Sequence, residues 1–211
     1  KTMIFNLTDK FISNDYRIRI QTNMQIYWDN IFISSDVNNK DIRISELQPT
    51  YANLHFRGYS KISRKSFSSP HIPDYYHTTS NQKWRDLTGR YTKYGDVLSL
   101  LLKSDNQYVI MNAGDEIYLK FQESNLEKLS NNWIRDFLFY NDGWLKDGDL
   151  NTSQGQTAAP LPFHGMISYP PNKKDIFPKD EDHDEYMKNY NTRIISIDSF
   201  KNEIRNHVAK N

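Results

Sequence analysis

Asn112-Ala113-Gly114-Asp115 followed by Glu116-Ile117-Tyr118-Leu119-Lys120-Phe121 is the stretch from which the fold class follows. Asn, Gly and Asp in one tetrapeptide are turn chemistry, because Gly supplies a positive φ and Asn or Asp bonds the nearby backbone. The six residues after it alternate. Ile117, Leu119 and Phe121 fall on one face of an extended chain, because side chains in a strand repeat with period two. Tyr108-Val109-Ile110-Met111, just before the turn, reads as a strand as well. Strand, tight turn and strand predict antiparallel β structure.

Other segments extend the pattern. Tyr16, Ile18 and Ile20 alternate with Arg17, Arg19 and Gln21. Thr2–Leu7, Met24–Asp29 running into Ile31–Ile33, Ile42–Ile44 and Ala52–Phe56 are further expected strands. Trp133–Tyr140 is expected to bury Ile134, Phe137 and Phe139. Many short strands with turns between them predict a mostly β, antiparallel β-sandwich, jelly-roll-like, with long loops. The interval 57–92 is crowded with Ser, His, Pro and Tyr and reads as one long loop, and loops of that length are usually functional. Asp96 is a candidate cap for a short helix over 97–102. The domain expected from these signals covers 1–155. Residues 156–211 form a Pro-rich arm packed on it, with one or two helical turns at 184–190 and a helix over 198–209.

Composition narrows the function. Lys and Arg total 27 against 26 for Asp and Glu, so no global field favours nucleic acid. With no Cys, disulfides, thiolate metal sites and a cysteine nucleophile are excluded. No run of 18 apolar residues occurs, so no transmembrane helix is expected. A chain that begins at Lys1 is expected to be a processed or excised piece of a longer protein.

Four stretches carry a resemblance. They are Arg17–Asp29; Leu87-Thr88-Gly89-Arg90-Tyr91-Thr92-Lys93-Tyr94-Gly95-Asp96-Val97; Tyr108–Glu116; and Arg135-Asp136-Phe137 with Asp142-Gly143-Trp144-Leu145-Lys146-Asp147-Gly148-Asp149-Leu150-Asn151-Thr152. In order and residue type they resemble the C-terminal region of bacterial FG-GAP/ASPIC-UnbV (cartilage-acidic-protein-like) and TPR-containing exported proteins. The resemblance spans roughly residues 16 to 170. It implies a non-catalytic module of an exported, periplasmic or extracellular, multi-domain protein, and it transfers no catalytic residues.

Three constellations carry chemistry. Asp147, Asp149 and Asn151 stand at i, i+2 and i+4, a spacing that lets oxygen side chains on a curled loop converge on Ca²⁺. The EF-hand pattern is incomplete, since Thr152 stands where Gly belongs and Ala158 where Glu belongs, so a plain Asp/Gly turn competes with the metal. Tyr27 and Asp29 flank Trp28 and, with Tyr75, Tyr76 and Trp144, are the expected ligand contacts. Flat aromatics stack on sugar faces and Asp takes hydroxyls, although burial is the commoner fate of large aromatics. His71 and His77, near Asp74, have no standard metal spacing. His164, in Pro162-Phe163-His164-Gly165-Met166, is placed as a neighbour of the loop beginning at Asp142.

No nucleophile elbow and no phosphate loop occurs. The expected function is therefore a binding or assembly module contacting a protein subunit or a glycan. The competing expectation is a polysaccharide-active hydrolase using a metal or paired carboxylates, drawn from Asp86, Asp96, Asp115, Glu116 and Asp136.

Overall fold

The computed structural model describes residues 4–7, 9–11, 13–14, 16–21, 30–33, 42–82, 85–146, 148, 154–178 and 180–198. The chain divides into two units, Lys1–Ile44 and Ser45–Asn211.

In the first unit the described residues form no strand. Phe11 and Tyr16 meet edge to face with ring centroids 5.2 Å apart. Tyr16, Ile20, Phe32 and Ile33 are exposed, so the expected one-sided burial does not develop. Alternation supplies a face, but a strand forms only when a neighbour takes its N–H and C=O groups. The remainder of the expected strands Thr2–Leu7 and Met24–Asp29 lies outside the described residues.

The described part of the second unit is mostly β with little helix, and its sheets are open and antiparallel. β1 (Tyr51–Phe56) is central to a three-stranded sheet, between β5 (Gly95–Asp96) and β6 (Asp115–Lys120). Tyr51 opposes Lys120 and Phe56 opposes Asp115. The 112–115 turn is as expected: Asp115 N–H donates to Asn112 O at 3.1 Å, and Gly114 adopts φ +82°. A Cβ at Gly114 would lie 2.5 Å from the Phe56 ring, so this turn requires glycine.

The interval 57–92 is not one loop. β2 (Tyr59–Ser63) and β3 (Ile72–Thr79) pair in a hairpin, with a register shift between Ser60 and Lys61. Tyr, Ile and Thr favour the extended state even in a polar setting. Pro73 is tolerated because each strand of a two-stranded ribbon has a free edge. β4 (Gly89–Tyr91) pairs with β7 (Arg193–Ile195).

The core is Ala52, Leu54, Val97, Leu100 and Tyr186, with Ile117 and Leu119 packed against it. Val97 and Leu100 come from the short α1 (Leu98–Leu101) and its approach. Asp96 accepts from Leu98 N–H at 2.9 Å, the capping expected of it, although Val97 occupies the N-cap position. Tyr186 comes from α2 (Glu181–Asn189). Asp180 caps this helix by accepting from His183 N–H at 2.8 Å, and Glu181, Asp182 and Asp184 in the first turn complement its dipole. The Tyr186 hydroxyl donates to Tyr108 O at 2.7 Å and accepts from Tyr108 N–H at 3.0 Å. The segment after residue 155 thus contributes a core helix and a sheet strand.

Two expected strands are absent. Residues 108–111 and 133–140 lie outside the strands, and Ile134, Phe137 and Phe139 are exposed. The helix expected over 198–209 lies, beyond Asp198, outside the described residues.

Candidate functional site

The most elaborated polar assembly gathers where β6 begins and β7 returns beside β4. Register places Tyr91 opposite Arg193. The Arg193 guanidinium lies over the Tyr94 ring at 4.3 Å and over the Tyr91 ring at 5.4 Å. Its Nη2 meets Asp115 Oδ2 at 2.5 Å, and its Nε donates to Thr92 O at 3.0 Å. The Asp115 side chain is only 1% exposed. It also accepts from Tyr94 O–H at 2.8 Å and from Asn112 N–H at 2.7 Å. A buried carboxylate is tolerated when paired and fully hydrogen-bonded, and both conditions hold here. Burial and the bond to Asp115 push the Tyr94 phenol up to about 12, and burial does the same to Tyr91.

This pair forms one wall of an open cleft of about 400 Å³. Phe56, Tyr59 and Tyr94 supply aromatic surface, and Asp86, Gln82 and Asn112 supply polar groups. Burial raises the Asp86 carboxyl above the ordinary range, and the nearby amides of Gln82 and Asn112 partly offset it. The Gln82 Nε2 is itself out of solvent, with the Asp86 carboxylate as its neighbour. Asp86 and Asp115, two of the acids expected from sequence, thus line one cleft. Gln82, Tyr94, Asn112 and Arg193 carry no sequence signal for this role, because the contact joining Arg193 to Asp115 spans 78 positions.

Of the expected ligand contacts, Tyr75, Tyr76 and Trp144 do not line this cleft. Tyr75 donates its hydroxyl to Glu116 Oε2 at 2.6 Å, and its ring lies 4.4 Å from the Arg57 guanidinium. Tyr75 therefore holds the β2–β3 hairpin to β6. Tyr76 meets the Tyr75 ring edge to face and is 89% exposed, so its ring is open to a ligand. Trp144 belongs to a separate cluster, tilted against Tyr169 at 5.5 Å, where Lys146 Nζ donates to Ala159 O at 3.0 Å. Tyr27, Asp29, Asp147, Asp149 and Asn151 lie outside the described residues. Among the described residues no three His, Asp or Glu side chains converge as a metal set, and His77 is paired with Asp74 at 2.7 Å.

His164 does lie beside Asp142, with its Nε2 3.5 Å from Asp142 Oδ2. Ser104 Oγ lies 3.4 Å from the same Nε2, and His164 Nδ1 lies 3.1 Å from Asn106 Oδ1. This order of hydroxyl, imidazole and orienting amide is that of a nucleophile and its base. The Ser104 proton, however, goes to Asp142 Oδ2. The anionic carboxylate outcompetes the imidazole for it, so Ser104 serves as a donor that fastens the 142–146 segment. These two bonds, from Ser104 first and His164 second, hold the Asp142 carboxyl below its ordinary value.

No protein-family model, curated protein or solved structure matches the chain. The resemblance of the four stretches rests on their residues alone.

Proposed function

We propose that this chain is a binding module whose ligand is a glycan, received in the cleft between Tyr94, Phe56 and Asp86. One observation carries the reading: an open cleft that combines aromatic faces with planar hydrogen-bonding groups. Aromatic rings take the apolar faces of sugar rings, and carboxylate, amide and guanidinium groups take hydroxyls in pairs. The Asp115–Arg193 pair fixes the Tyr94 ring before a ligand arrives, which lowers the ordering cost of binding. The resemblance of the four stretches implies that such a module would belong to an exported bacterial protein. A jelly-roll-like sandwich completed by the open sheets, and a Ca²⁺ bound by Asp147, Asp149 and Asn151, belong to the same proposal.

A paired-carboxylate hydrolase is supported by Asp86 and Asp115 sharing the cleft. It is weakened by Asp115, whose oxygens are already engaged by Arg193, Tyr94 and Asn112 and face away from solvent. A carboxylate so engaged is a poor base or nucleophile, and binding without turnover is the better reading.

The test is titration of the isotope-labelled chain with neutral oligosaccharides, followed by backbone NMR. Shifts confined to residues around Tyr94, Asn112 and Arg193, reduced by Tyr94→Ala, are expected. Absence of any saturable shift tighter than about 1 mM would reject the reading.

A further inference from the structure

We infer that the cleft selects glycans bearing free amino groups, an inference that rests on the glycan reading above. The first ground is a charge count. Asp86, Asp115 and Arg193 are the formally charged side chains lining the cleft. Asp115 and Arg193 neutralise one another at 2.5 Å, so Asp86 leaves the cleft one negative charge in excess.

The second ground is the company Asp86 keeps. Its close polar neighbours are the amides of Gln82 and Asn112. Among the described residues no Lys, Arg or His forms an ion pair with it. Arg193 acts on Asp86 only through space, is opposed there by Asp115 and is itself paired with Asp115, so Asp86 has no cation of its own and a ligand can bring one.

The third ground is the aromatic wall. Tyr94 already carries the Arg193 guanidinium 4.3 Å from its ring centre, so the aromatic surface left for a second cation is that of Phe56 and Tyr59. Phe56 and Tyr59, edge to face at 5.4 Å, border the same space. An ammonium between a carboxylate and ring faces gains from both.

An amino sugar carries these features together: an ammonium for Asp86 and an apolar ring face for the aromatics. N-acetylation removes the cation, and a uronate sets a second carboxylate against Asp86.

The test titrates the full chain with glucosamine oligomers, the same oligomers N-acetylated, and oligouronates, at a pH where the amines are protonated. The amine form is expected to bind at least about fivefold more tightly than the acetylated form, as one partly exposed ion pair allows. Oligouronates are expected to bind weakest. Asp86→Asn should bring the ratio of amine to acetylated affinity close to one. Asp142→Asn, outside the cleft, should keep the ratio, with circular dichroism confirming that both variants fold. Added salt should shrink the preference. Equal or tighter binding of the acetylated or acidic oligomers overturns the selectivity and leaves the glycan reading standing. A ratio that Asp86→Asn does not alter overturns the role of Asp86. No binding of any oligomer overturns both readings.

Discussion

At the scale of the residue, the cleft sets two acids against each other. Asp115 is buried, yet its cation and two further donors surround it. Removing that cation strands the charge. Arg193→Ala is therefore expected to destabilise the fold by about 3 kcal/mol, read from the urea midpoint. Arg193→Lys should recover only part of the loss, because an ammonium cannot both stack on Tyr94 and keep the spread of contacts of the guanidinium. A cost under about 0.5 kcal/mol would show that the pair is not buried in solution. Asp86 behaves oppositely. Its folded-state pKa is raised, chiefly by burial, so its protonated form is the one the fold prefers. The stability is full below the unfolded-state value and is lost as pH rises through the folded-state value. Asp86→Asn should therefore raise the melting temperature at neutral pH and lose that advantage in acid, below the ordinary carboxylate range. A gain independent of pH would mean that ionisation is not the cause. A residue that costs stability when charged is what a binding site retains for its ligand. Asp142 has the reverse sign. Its lowered value stabilises above the unfolded-state value and that contribution is lost as pH falls through the folded-state one. Asp142→Asn should remove that acid-limb dependence from a pH series of melting curves.

At the scale of the element, the Tyr186 hydroxyl is the clamp between α2 and the segment at Tyr108. It makes two hydrogen bonds to the backbone of Tyr108 from a side chain that is 2% exposed. Tyr186→Phe keeps the packing and leaves a part-buried N–H and C=O unpaired, so a loss of about 1–3 kcal/mol is expected in denaturant unfolding. Amide exchange should speed up in α2 and at Tyr108 before β1 is affected. No change in exchange would place the clamp elsewhere. The sequence made some of this readable. The 112–115 turn, β6 and β1 declared themselves through Gly114, through the alternation of Ile117 and Leu119, and through that of Ala52, Leu54 and Phe56. Those signals are local: a turn residue and a period. β4 and β7 pair across about a hundred positions, and nothing local in Gly89–Tyr91 or Arg193–Ile195 specifies it. β2 and β3 were hidden for another reason. Their faces are polar and half exposed, so no hydrophobic period marks them, and Tyr75 there bonds Glu116 through its hydroxyl while its ring stays largely exposed. Of the cleft, the acids Asp86 and Asp115 were legible as types. The cation and amides that give each its role arrive by tertiary contact.

At the scale of the whole molecule, the segment Ile134–Leu145 carries an exposed apolar run, Phe137–Tyr140. Its two ends are fastened. Arg135 donates to Glu123 Oε1 at 2.6 Å and to Glu127 O at 2.6 Å, and Asp142 accepts from Ser104. Between those points Phe137, Leu138, Phe139 and Tyr140 stand exposed, Leu138 at 95%. Four consecutive large apolar side chains in water are a feature of contact surfaces and an aggregation hazard in isolation. These side chains bury little within the chain, so they contribute little to its folding. Phe137→Ser combined with Leu138→Ser is therefore expected to shift the unfolding free energy by less than about 0.5 kcal/mol. The same change should lower light scattering and the fluorescence of an apolar-surface dye. A buried strand would behave otherwise, because truncating two large core side chains costs several kcal/mol. Chemical denaturation and scattering measured on one pair of samples separate the cases. Unchanged stability with reduced self-association identifies the run as a surface awaiting a partner chain, whereas a large loss of stability identifies it as core that the chain itself covers.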